Sequence, residues 1–346
     1  MFALDTARFQ KAAEEFRLPA YRLKQVREWV YSRFVNDFQQ MSNLPQALRE
    51  ALAGKYQITS SQVVAERRTG DGTVKLLIQY PDGAKIEAVI MTYRDWSSAC
   101  LSTQVGCAMG CVFCATGPLG FERNLTREEM AEEFWHCCRY AQDKSLKPIR
   151  NIVLMGIGEP LANFQNVVGL INVASDPELF KIGQRRITLS TVGLVDQINS
   201  LAQLNLSITL AVSLHGPSDK LRNQLMPITR KYPLQELLAA CRNYTVITGR
   251  RVTFEYLMLD GVNDTDRHAR ELGKLLKGMN CLVNLIPFNE VPGTSLCSSR
   301  RINEFHRLAE QAGLNVTIRR SLGAEINAAC GQLRRGTPGA KRGGIL

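Results

Sequence analysis

The sequence contains no run of apolar residues that approaches the roughly 18 needed for a membrane-spanning helix. Its first ten residues, M-F-A-L-D-T-A-R-F-Q, lack the apolar stretch of a secretory signal peptide. There is no internal repeat, and only the tail from about residue 334 is biased, being rich in glycine, proline and basic residues. These absences argue against membrane insertion and secretion, and predict a cytoplasmic globular chain with no membrane partner.

The chain has 346 residues, of which 45% are hydrophobic and 22% charged, as is ordinary for a globular protein. This length is enough for one large core with an appended module. The net charge of +11 and recurring basic pairs, such as Arg185-Arg186 and Arg250-Arg251, favour an anionic partner. A nucleic acid is one candidate, and composition alone does not separate RNA from DNA.

Ten cysteines without an export signal indicate reduced thiols and a metal site rather than a disulfide framework. Three of them, Cys107, Cys111 and Cys114, form the run C-A-M-G-C-V-F-C. A structural zinc site needs four ligands, and a cubane iron–sulfur cluster held by cysteine needs four thiolates. Three close cysteines without an obvious fourth therefore predict a cluster with one iron open to a cofactor or substrate. A zinc knuckle or a chance grouping is the alternative.

The hydrophobic pattern divides the chain into four predicted parts. Residues 1–70 show helical periodicity and predict a helical accessory domain. Two β-prone runs around Pro81-Asp82-Gly83 predict a β-hairpin within residues 71–97. Residues 98–326 alternate β-like and helical segments six times, which predicts an α/β core with a parallel sheet. Residues 327–346 form a C-terminal segment.

Six units are too few for a closed eight-stranded barrel, so we expect a partial (βα)6 barrel. In such barrels the active groups lie at the carboxyl ends of the strands. Polar or metal-binding residues follow five of the predicted strands, so they should form one site. They are the cysteine triad, the G-I-G-E-P run with Gly158 and Glu159, then Ser190, the segment Ser213, Leu214 and His215, and finally Asn289.

The spacing C-x3-C-x2-C resembles the signature of the radical S-adenosylmethionine (SAM) enzymes, and Phe113 before the third cysteine also fits. The runs I-N-A-A-C-G-Q-L, M-G-I-G-E-P-L-A-N and L-M-P-I-T-R-K-Y-P closely resemble the RNA adenine methyltransferases of the RlmN/Cfr family. The similarity extends from about residue 20 to residue 333. It implies a radical-SAM barrel that binds one [4Fe–4S] cluster on the cysteine triad.

The resemblance also implies the roles of the other site residues. Gly158 and Glu159 would receive the amino group of SAM, and Ser190, Ser213–His215 and Asn289 would contact its ribose and carboxylate. Cys330 would carry a methyl group taken from one SAM, and a second SAM would supply a radical that activates this methyl group for addition to adenine. Glu87 would then accept the ring proton. Cys100 would attack the sulfur of Cys330, forming a disulfide bond and releasing the product.

Family members of the RlmN type methylate carbon 2 of an adenine in the peptidyl-transferase region of 23S rRNA and an adenine in some tRNAs. The Cfr type methylates carbon 8 of the rRNA base and confers antibiotic resistance. The segment N-L-I-P-F-N favours carbon 2, since arginine is expected at the position of Pro287 in the other type. The resemblance further implies a flavodoxin-like electron donor and a monomer.

Two other readings of the sequence stay open at this point. A non-catalytic iron–sulfur or zinc RNA-binding protein is one, although it would not need the SAM-contacting residues. A different radical-SAM reaction such as methylthiolation is the other, but it generally requires a second cysteine-bound cluster and the chain has no second triad.

Overall fold

The computed structural model describes residues 6–291, 293–319, 322–328 and 331–333. The α-helices in this part of the chain are α1 (Thr6–Glu15), α2 (Ala20–Tyr31), α3 (Gln46–Lys55), α4 (Arg127–Asp143), α5 (Phe164–Ser175), α6 (Val195–Gln203), α7 (Asp219–Leu225), α8 (Leu234–Thr248), α9 (Asp266–Leu275) and α10 (Ile302–Gln311). Within these ranges, no helix combines the length and apolar character that a membrane span requires.

The strands are β1 (Gln62–Arg68), β2 (Val74–Gln79), β3 (Lys85–Thr92), β4 (Ser97–Cys100), β5 (Gln104–Gly106), β6 (Phe121–Asn124), β7 (Ile149–Leu154), β8 (Ile187–Thr191), β9 (Thr209–Ser213), β10 (Val252–Met258), β11 (Cys281–Pro287) and β12 (Val316–Ile318). Ten of them form one sheet in the order β1-β2-β3-β4-β7-β8-β9-β10-β11-β12, and β5 pairs with β6.

The sheet is parallel from β4 through β7–β11 to β12, with helices in the connections. This arrangement confirms the predicted α/β core, and β12 adds a seventh parallel strand. Leu154 at the end of β7 and Arg319 after β12 line the same cavity. The Nη1 atom of Arg319 also lies 3.1 Å from the Sδ atom of Met155. The parallel sheet therefore curls around that cavity as a partial barrel.

The predicted hairpin is formed by β2 and β3, which pair antiparallel. In the turn of this hairpin, the Asp82 carboxylate accepts a hydrogen bond from the N–H of Ala84 at 3.0 Å, and Gly83 has φ +85°. Such a positive φ favours glycine because a Cβ atom would be strained there. Since β3 also pairs with β4, the hairpin extends the barrel sheet sideways and carries Glu87 next to the strand that ends at Cys100.

The N-terminal helices pack against α4, which begins with a capping box formed by Thr126 and Glu129. The indole N–H of Trp135, on α4, donates to the carbonyl oxygen of Val30 at 2.8 Å. Trp135 is almost fully buried, and burying a side chain of this kind contributes about 1.5–3 kcal/mol. The first three helices therefore share one hydrophobic core with the barrel.

Some elements differ from the sequence prediction. Strand β1 lies within residues 1–70, which were predicted to be helical, and β6, α7, α10 and β12 were not predicted. The side chains of β1 and β6 are mostly exposed, so these strands show little apolar alternation. Backbone pairing with β2 and β5 defines them instead.

Candidate active site

A cavity of about 140 Å³ lies at the carboxyl ends of the parallel strands. It is bounded on one side by the loop between β5 and β6 and on another by the C-terminal segment. Of the predicted site residues, those that line it are Cys107, Cys111, Cys114, Gly158, Glu159, Ser190, Ser213 and His215. Leu214 and Asn289 are buried nearby but do not line the cavity.

The three cysteines of the triad all face this cavity from the β5–β6 loop. The loop is tightly wound, since the N–H of Cys114 donates to the carbonyl of Cys111 at 3.2 Å. It is also pinned to the barrel by the N–H of Val112, which donates to the carbonyl of Leu225 at 3.0 Å. The triad is thus held on a short rigid turn at the mouth of the barrel.

Burial raises the pKa of the Cys107 thiol to about 11 and that of Cys111 well above its ordinary value. Without a cation the thiols therefore stay protonated, whereas bound iron favours thiolates. In the described ranges, no three His, Cys, Asp or Glu side chains lie close enough together to hold a single metal ion. A cubane cluster needs one thiolate for each iron, so three separated thiolates around one cavity fit it better than mononuclear zinc.

The loop after β7 presents Gly158 and Glu159 to the same cavity. Gly158 has φ +111°, and a Cβ atom there would lie 2.8 Å from the backbone nitrogen of Gln104. The Gln104 side chain accepts a hydrogen bond from the N–H of Glu159 at 2.9 Å. Only glycine therefore allows this loop to approach β5 so closely.

Glu159 is almost fully buried, and its carboxylate accepts hydrogen bonds from the N–H groups of Leu161 at 3.0 Å and Val192 at 2.9 Å. Burial raises its pKa to about 7, although these hydrogen bonds act in the opposite direction. A bound ammonium group would stabilise the charged form of such a carboxylate. The loop can therefore hold a cationic amine beside the cysteine triad.

His215 follows β9 with φ +54°, and its Nδ1 atom accepts a hydrogen bond from the N–H of Leu257 at 3.0 Å. Burial, together with a smaller contribution from the nearby Arg222 guanidinium, lowers the pKa of His215 to about 3. The ring is therefore neutral at pH 7 and keeps its Nε2–H available as a donor. It also packs edge-on against Phe113 of the cysteine loop, with ring centroids 4.8 Å apart.

Arg222, on α7, supports this part of the site and was missed by the sequence analysis. Its Nη1 atom donates to the carbonyl oxygens of Ser213 at 2.8 Å and Leu214 at 2.6 Å. Its side chain is almost fully buried. The guanidinium therefore satisfies backbone groups at the end of β9 and fixes the position of Ser213.

Glu87 and Cys100 lie on one face of the hairpin extension. Cys100 is directly opposite Val89 in the β3–β4 register, two residues from Glu87. This face is covered by the C-terminal segment, because Ala328 and Leu333 belong to the same hydrophobic cluster as Val89 and Cys100.

The C-terminal segment also contacts the cysteine loop. The N–H of Ala115 donates to the carbonyl of Gly331 at 2.7 Å, and the hydroxyl of Thr116 donates to the carbonyl of Leu333 at 2.8 Å. Cys330 itself lies outside the described residues. The described residues nearest to it, Ala328, Gly331 and Leu333, pack between the triad loop and the face that carries Glu87 and Cys100.

Ser102, which the sequence analysis did not select, connects three parts of the site. Its hydroxyl donates to the carbonyl oxygen of Glu87 at 2.8 Å and accepts from the N–H of Ile157 at 3.0 Å. Its own N–H donates to the carboxyl group of Glu133 at 2.8 Å. Burial raises the pKa of Glu133 well above its ordinary value. The hydrogen bonds of Ser102 therefore connect the hairpin, the Gly158 loop and α4.

Glu255 and Arg319 are charged residues of the cavity wall that the sequence analysis did not select. The Nη1 atom of Arg319 lies 4.0 Å from the Oε2 atom of Glu255, and the Asn284 amide donates to the same oxygen at 3.1 Å. Burial raises the pKa of Glu255. A single carboxylate inside the apolar run V-T-F-E-Y-L-M is a signal that could have identified this position.

Two family models match the chain. Residues 101–272 match the radical SAM superfamily, and residues 1–58 match the ribosomal RNA large subunit methyltransferase N-terminal domain. A probable dual-specificity RNA methyltransferase RlmN from Alkaliphilus oremlandii is 47% identical over 318 residues, covering 91% of both chains. The chain belongs to the RlmN family of radical SAM methyltransferases.

Further members of the family agree with this assignment. The RlmN of Spiroplasma citri, also described as a probable dual-specificity RNA methyltransferase, is 42% identical over 94% of this chain and 93% of its own. The crystal structure of a radical SAM methyltransferase from Sphaerobacter thermophilus has a TM-score of 0.92 and 44% identity, covering 97% of this chain and all of that chain. The protein is thus an enzyme, and the alternative of a non-catalytic metal protein is wrong. Membership of the radical SAM superfamily implies a [4Fe–4S] cluster and SAM.

Proposed function

We propose that this enzyme methylates carbon 2 of adenine in the peptidyl-transferase region of 23S rRNA and in tRNA, through S-methylated Cys330. The relatives are described as dual-specificity RNA methyltransferases, which supports an RNA substrate. The observation that carries the proposal is the packing of residues 328, 331 and 333. They lie between the triad loop and the sheet face of Glu87 and Cys100. This packing supports the proposal, because the triad loop and the sheet face with Glu87 and Cys100 both contact the same C-terminal segment.

A cluster on Cys107, Cys111 and Cys114 would supply the electron that cleaves SAM, and two SAM molecules would be used in each turnover. The protein would bind SAM through groups that already face the cavity. Glu159 would accept the amino group, and Gly158 would let the backbone approach it. Ser190, Ser213 and the neutral His215 would donate or accept hydrogen bonds to the ribose and carboxylate. Leu214 and Asn289 do not line the cavity, so they would contribute to SAM binding from the layer of buried residues directly behind its wall.

Glu87 would accept the proton from the adenine carbon, since its carboxylate lies on the covered face of the hairpin extension. The adduct would also have to lose its unpaired electron, for which the oxidised cluster is the available acceptor. The Cys100 thiolate would then attack the sulfur of Cys330, as in thiol–disulfide exchange. The bond between this sulfur and the methylene carbon would break, the carbon would keep the electron pair and take up a proton, and a disulfide and the methylated base would result. The apolar cluster around Val89, Ala328 and Leu333 would exclude water from this step.

We further propose that the enzyme is a cytoplasmic monomer and receives electrons from a flavodoxin-like protein. The four buried cysteines outside the site, Cys137, Cys138, Cys241 and Cys281, are free thiols, as expected in a reducing compartment. The net charge of +11 suits both an RNA substrate and an acidic electron donor.

The proposed function is tested by analysing the nucleosides of an rRNA fragment after anaerobic reaction with cluster-loaded enzyme, SAM and dithionite. Mass spectrometry against standards should find 2-methyladenosine, and a tRNA substrate should give the same product. A fragment with guanosine at the target position is the control and should stay unmodified. Recovery of 8-methyladenosine would assign the enzyme to the Cfr type, and absence of any methylated base from active, SAM-cleaving enzyme would refute the proposal.

Gly158→Ala should weaken SAM binding about tenfold or more. The substitution would strain a backbone at φ +111° and place a Cβ atom against Gln104. Strain of this kind costs about 1–3 kcal/mol, which corresponds to a 5- to 150-fold change in affinity. Equilibrium binding of SAM to cluster-loaded protein measures the effect. Gly54→Ala is the matched control, because no atom lies within 4 Å of its Cβ position and binding should not change. Equal affinities for the two variants would show that the Gly158 loop does not hold SAM.

A further inference from the structure

Lys75 is a buried cation that the chemistry described above leaves unused. It lies on β2 opposite Val89, one diagonal step from Glu87, which is opposite Leu77. Its Nζ atom lies 2.9 Å from the Oε1 atom of Glu87, and the two side chains are only 10% and 8% exposed. Diagonal neighbours on one face of a sheet are within reach of a long side chain. Lys75 therefore forms a buried ion pair with the proposed proton acceptor.

Lys75 also contacts the segment that leads to Cys330. Its Nζ atom donates to the carbonyl oxygen of Asn327 at 3.1 Å. Asn327 precedes Cys330 by three positions in the sequence. One ammonium group thus joins the carboxylate of Glu87 to the backbone of the C-terminal segment.

Stabilisation of the fold does not explain this arrangement. A buried ion pair contributes little net stability compared with apolar side chains of the same size, because both charges lose their hydration. The neighbours of Lys75 on the same face of the sheet, Leu77 on β2 and Val89 on β3, are apolar and almost fully buried, so an apolar residue would suit the core at this point. The location of the charge beside Glu87 requires another reason.

We propose that Lys75 is a positioning residue for the proton transfer. Its ammonium directs one oxygen of Glu87, pairs with this group in its carboxylate form, and ties it to the segment that carries Cys330. This inference rests on the proposed function. In the step itself the proton passes from the adenine carbon to a Glu87 oxygen, and the electron pair of the C–H bond stays on the ring. Lys75 keeps all of its protons.

Asp71 provides a matched control, because it holds the chain just before the C-terminal segment without contacting Glu87. Its carboxylate accepts a hydrogen bond from the N–H of Gly323 at 3.1 Å, while Lys75 binds the segment four residues later. If Lys75 only anchored the segment, Asp71→Asn and Lys75→Met should have the same effect. If Lys75 acts through Glu87, the two variants should differ in the step that releases the product.

The experiment follows a single turnover of cluster-loaded enzyme with end-labelled rRNA fragment, and denaturing gels separate free RNA from the covalent protein–RNA adduct. Wild-type enzyme should form the adduct transiently, and Glu87→Gln should accumulate it. Lys75→Met should form the adduct within about threefold of the wild-type rate but release it about 10- to 100-fold more slowly, given the usual contribution of a positioned base. Lys75→Arg should restore most of the release rate, and Asp71→Asn should release at nearly the wild-type rate.

Folding is checked by the circular-dichroism spectrum and by the iron content of the reconstituted protein, which should match wild type in every variant. Lys75→Gln serves as a second variant if Lys75→Met fails this check, since glutamine keeps a donor but loses the charge. Release at the wild-type rate in Lys75→Met or Lys75→Gln, or equal defects in Lys75→Met and Asp71→Asn, would overturn the proposal. A wild-type enzyme that methylates RNA without any adduct, or does not methylate it, would instead refute the proposed function, and the role of Lys75 with it.

Discussion

Replacing Cys100 with alanine should stop the reaction after one round and leave the protein covalently joined to RNA. In the proposed mechanism, methyl transfer to Cys330 and addition to adenine do not use Cys100, so the adduct should form at nearly the normal rate. Release of the adduct would need a second thiolate, and Cys100 shares a hydrophobic cluster with Ala328 and Leu333, which flank Cys330 in the sequence. Denaturing gels should show a shifted protein band that ribonuclease trims, and multiple-turnover product should fall below detection.

Other thiols should not replace Cys100. The side chain of Cys137 lies near Cys100, but it is fully buried, and burial raises its pKa well above the ordinary value, so it is a poor nucleophile. Cys297→Ala, which removes an exposed thiol, is the control and should turn over normally. If Cys100→Ala instead turned over at the wild-type rate without a shifted band, the assignment of Cys100 as the resolving thiol would be wrong.

Replacing Cys111 with alanine should abolish both cluster binding and SAM cleavage. Cys111 is the most buried of the three cavity-lining thiols, and a cluster with only two protein ligands has no stable place on this loop. Anaerobically reconstituted wild-type protein should contain four irons with the broad visible absorption of a [4Fe–4S] cluster, and the variant should contain almost none. Iron analysis and the absorption spectrum measure this without reference to activity.

Cys281→Ala is the matched control for the cluster experiment. Cys281 is buried to a similar degree but begins β11, at the end of the strand opposite the cavity, so its loss should leave the iron content unchanged. Stoichiometric zinc and no iron in anaerobically prepared wild-type protein would contradict the cluster assignment for the whole triad.

Most of the candidate site was predictable because its residues belong to short local motifs. Cys107, Cys111 and Cys114 share one loop, and their spacing alone limits what they can bind together. Gly158, Ser190, Ser213 and His215 were located by a general rule, since parallel strands present their carboxyl ends at one edge. The structure brings these residues to one cavity, as predicted.

The residues that were missed are those whose role depends on distant partners. Lys75 lies in the run V-K-L-L-I-Q, which reads as an apolar strand, and its contact with Asn327 spans 252 positions. The sequence analysis did not select Arg222, which is buried against the carbonyls of Ser213 and Leu214. A lone charge inside an apolar strand is a usable signal, as Lys75 and Glu255 both show. A buried arginine on a short helix carries no such signal.

The sequence by itself determined the parallel α/β core, because hydrophobic periodicity acts over a few residues, and it determined the class of enzyme through its resemblance to a known family. The spacing of Cys107, Cys111 and Cys114 predicts the cluster ligands. Tertiary structure alone decided how the pieces meet. Pairing of β3 with β4 carries Glu87 to Cys100, and the C-terminal segment then packs across that face. These contacts depend on the burial of apolar surface and on hydrogen bonds between segments far apart in the chain, and no local pattern encodes which distant partner each segment will find.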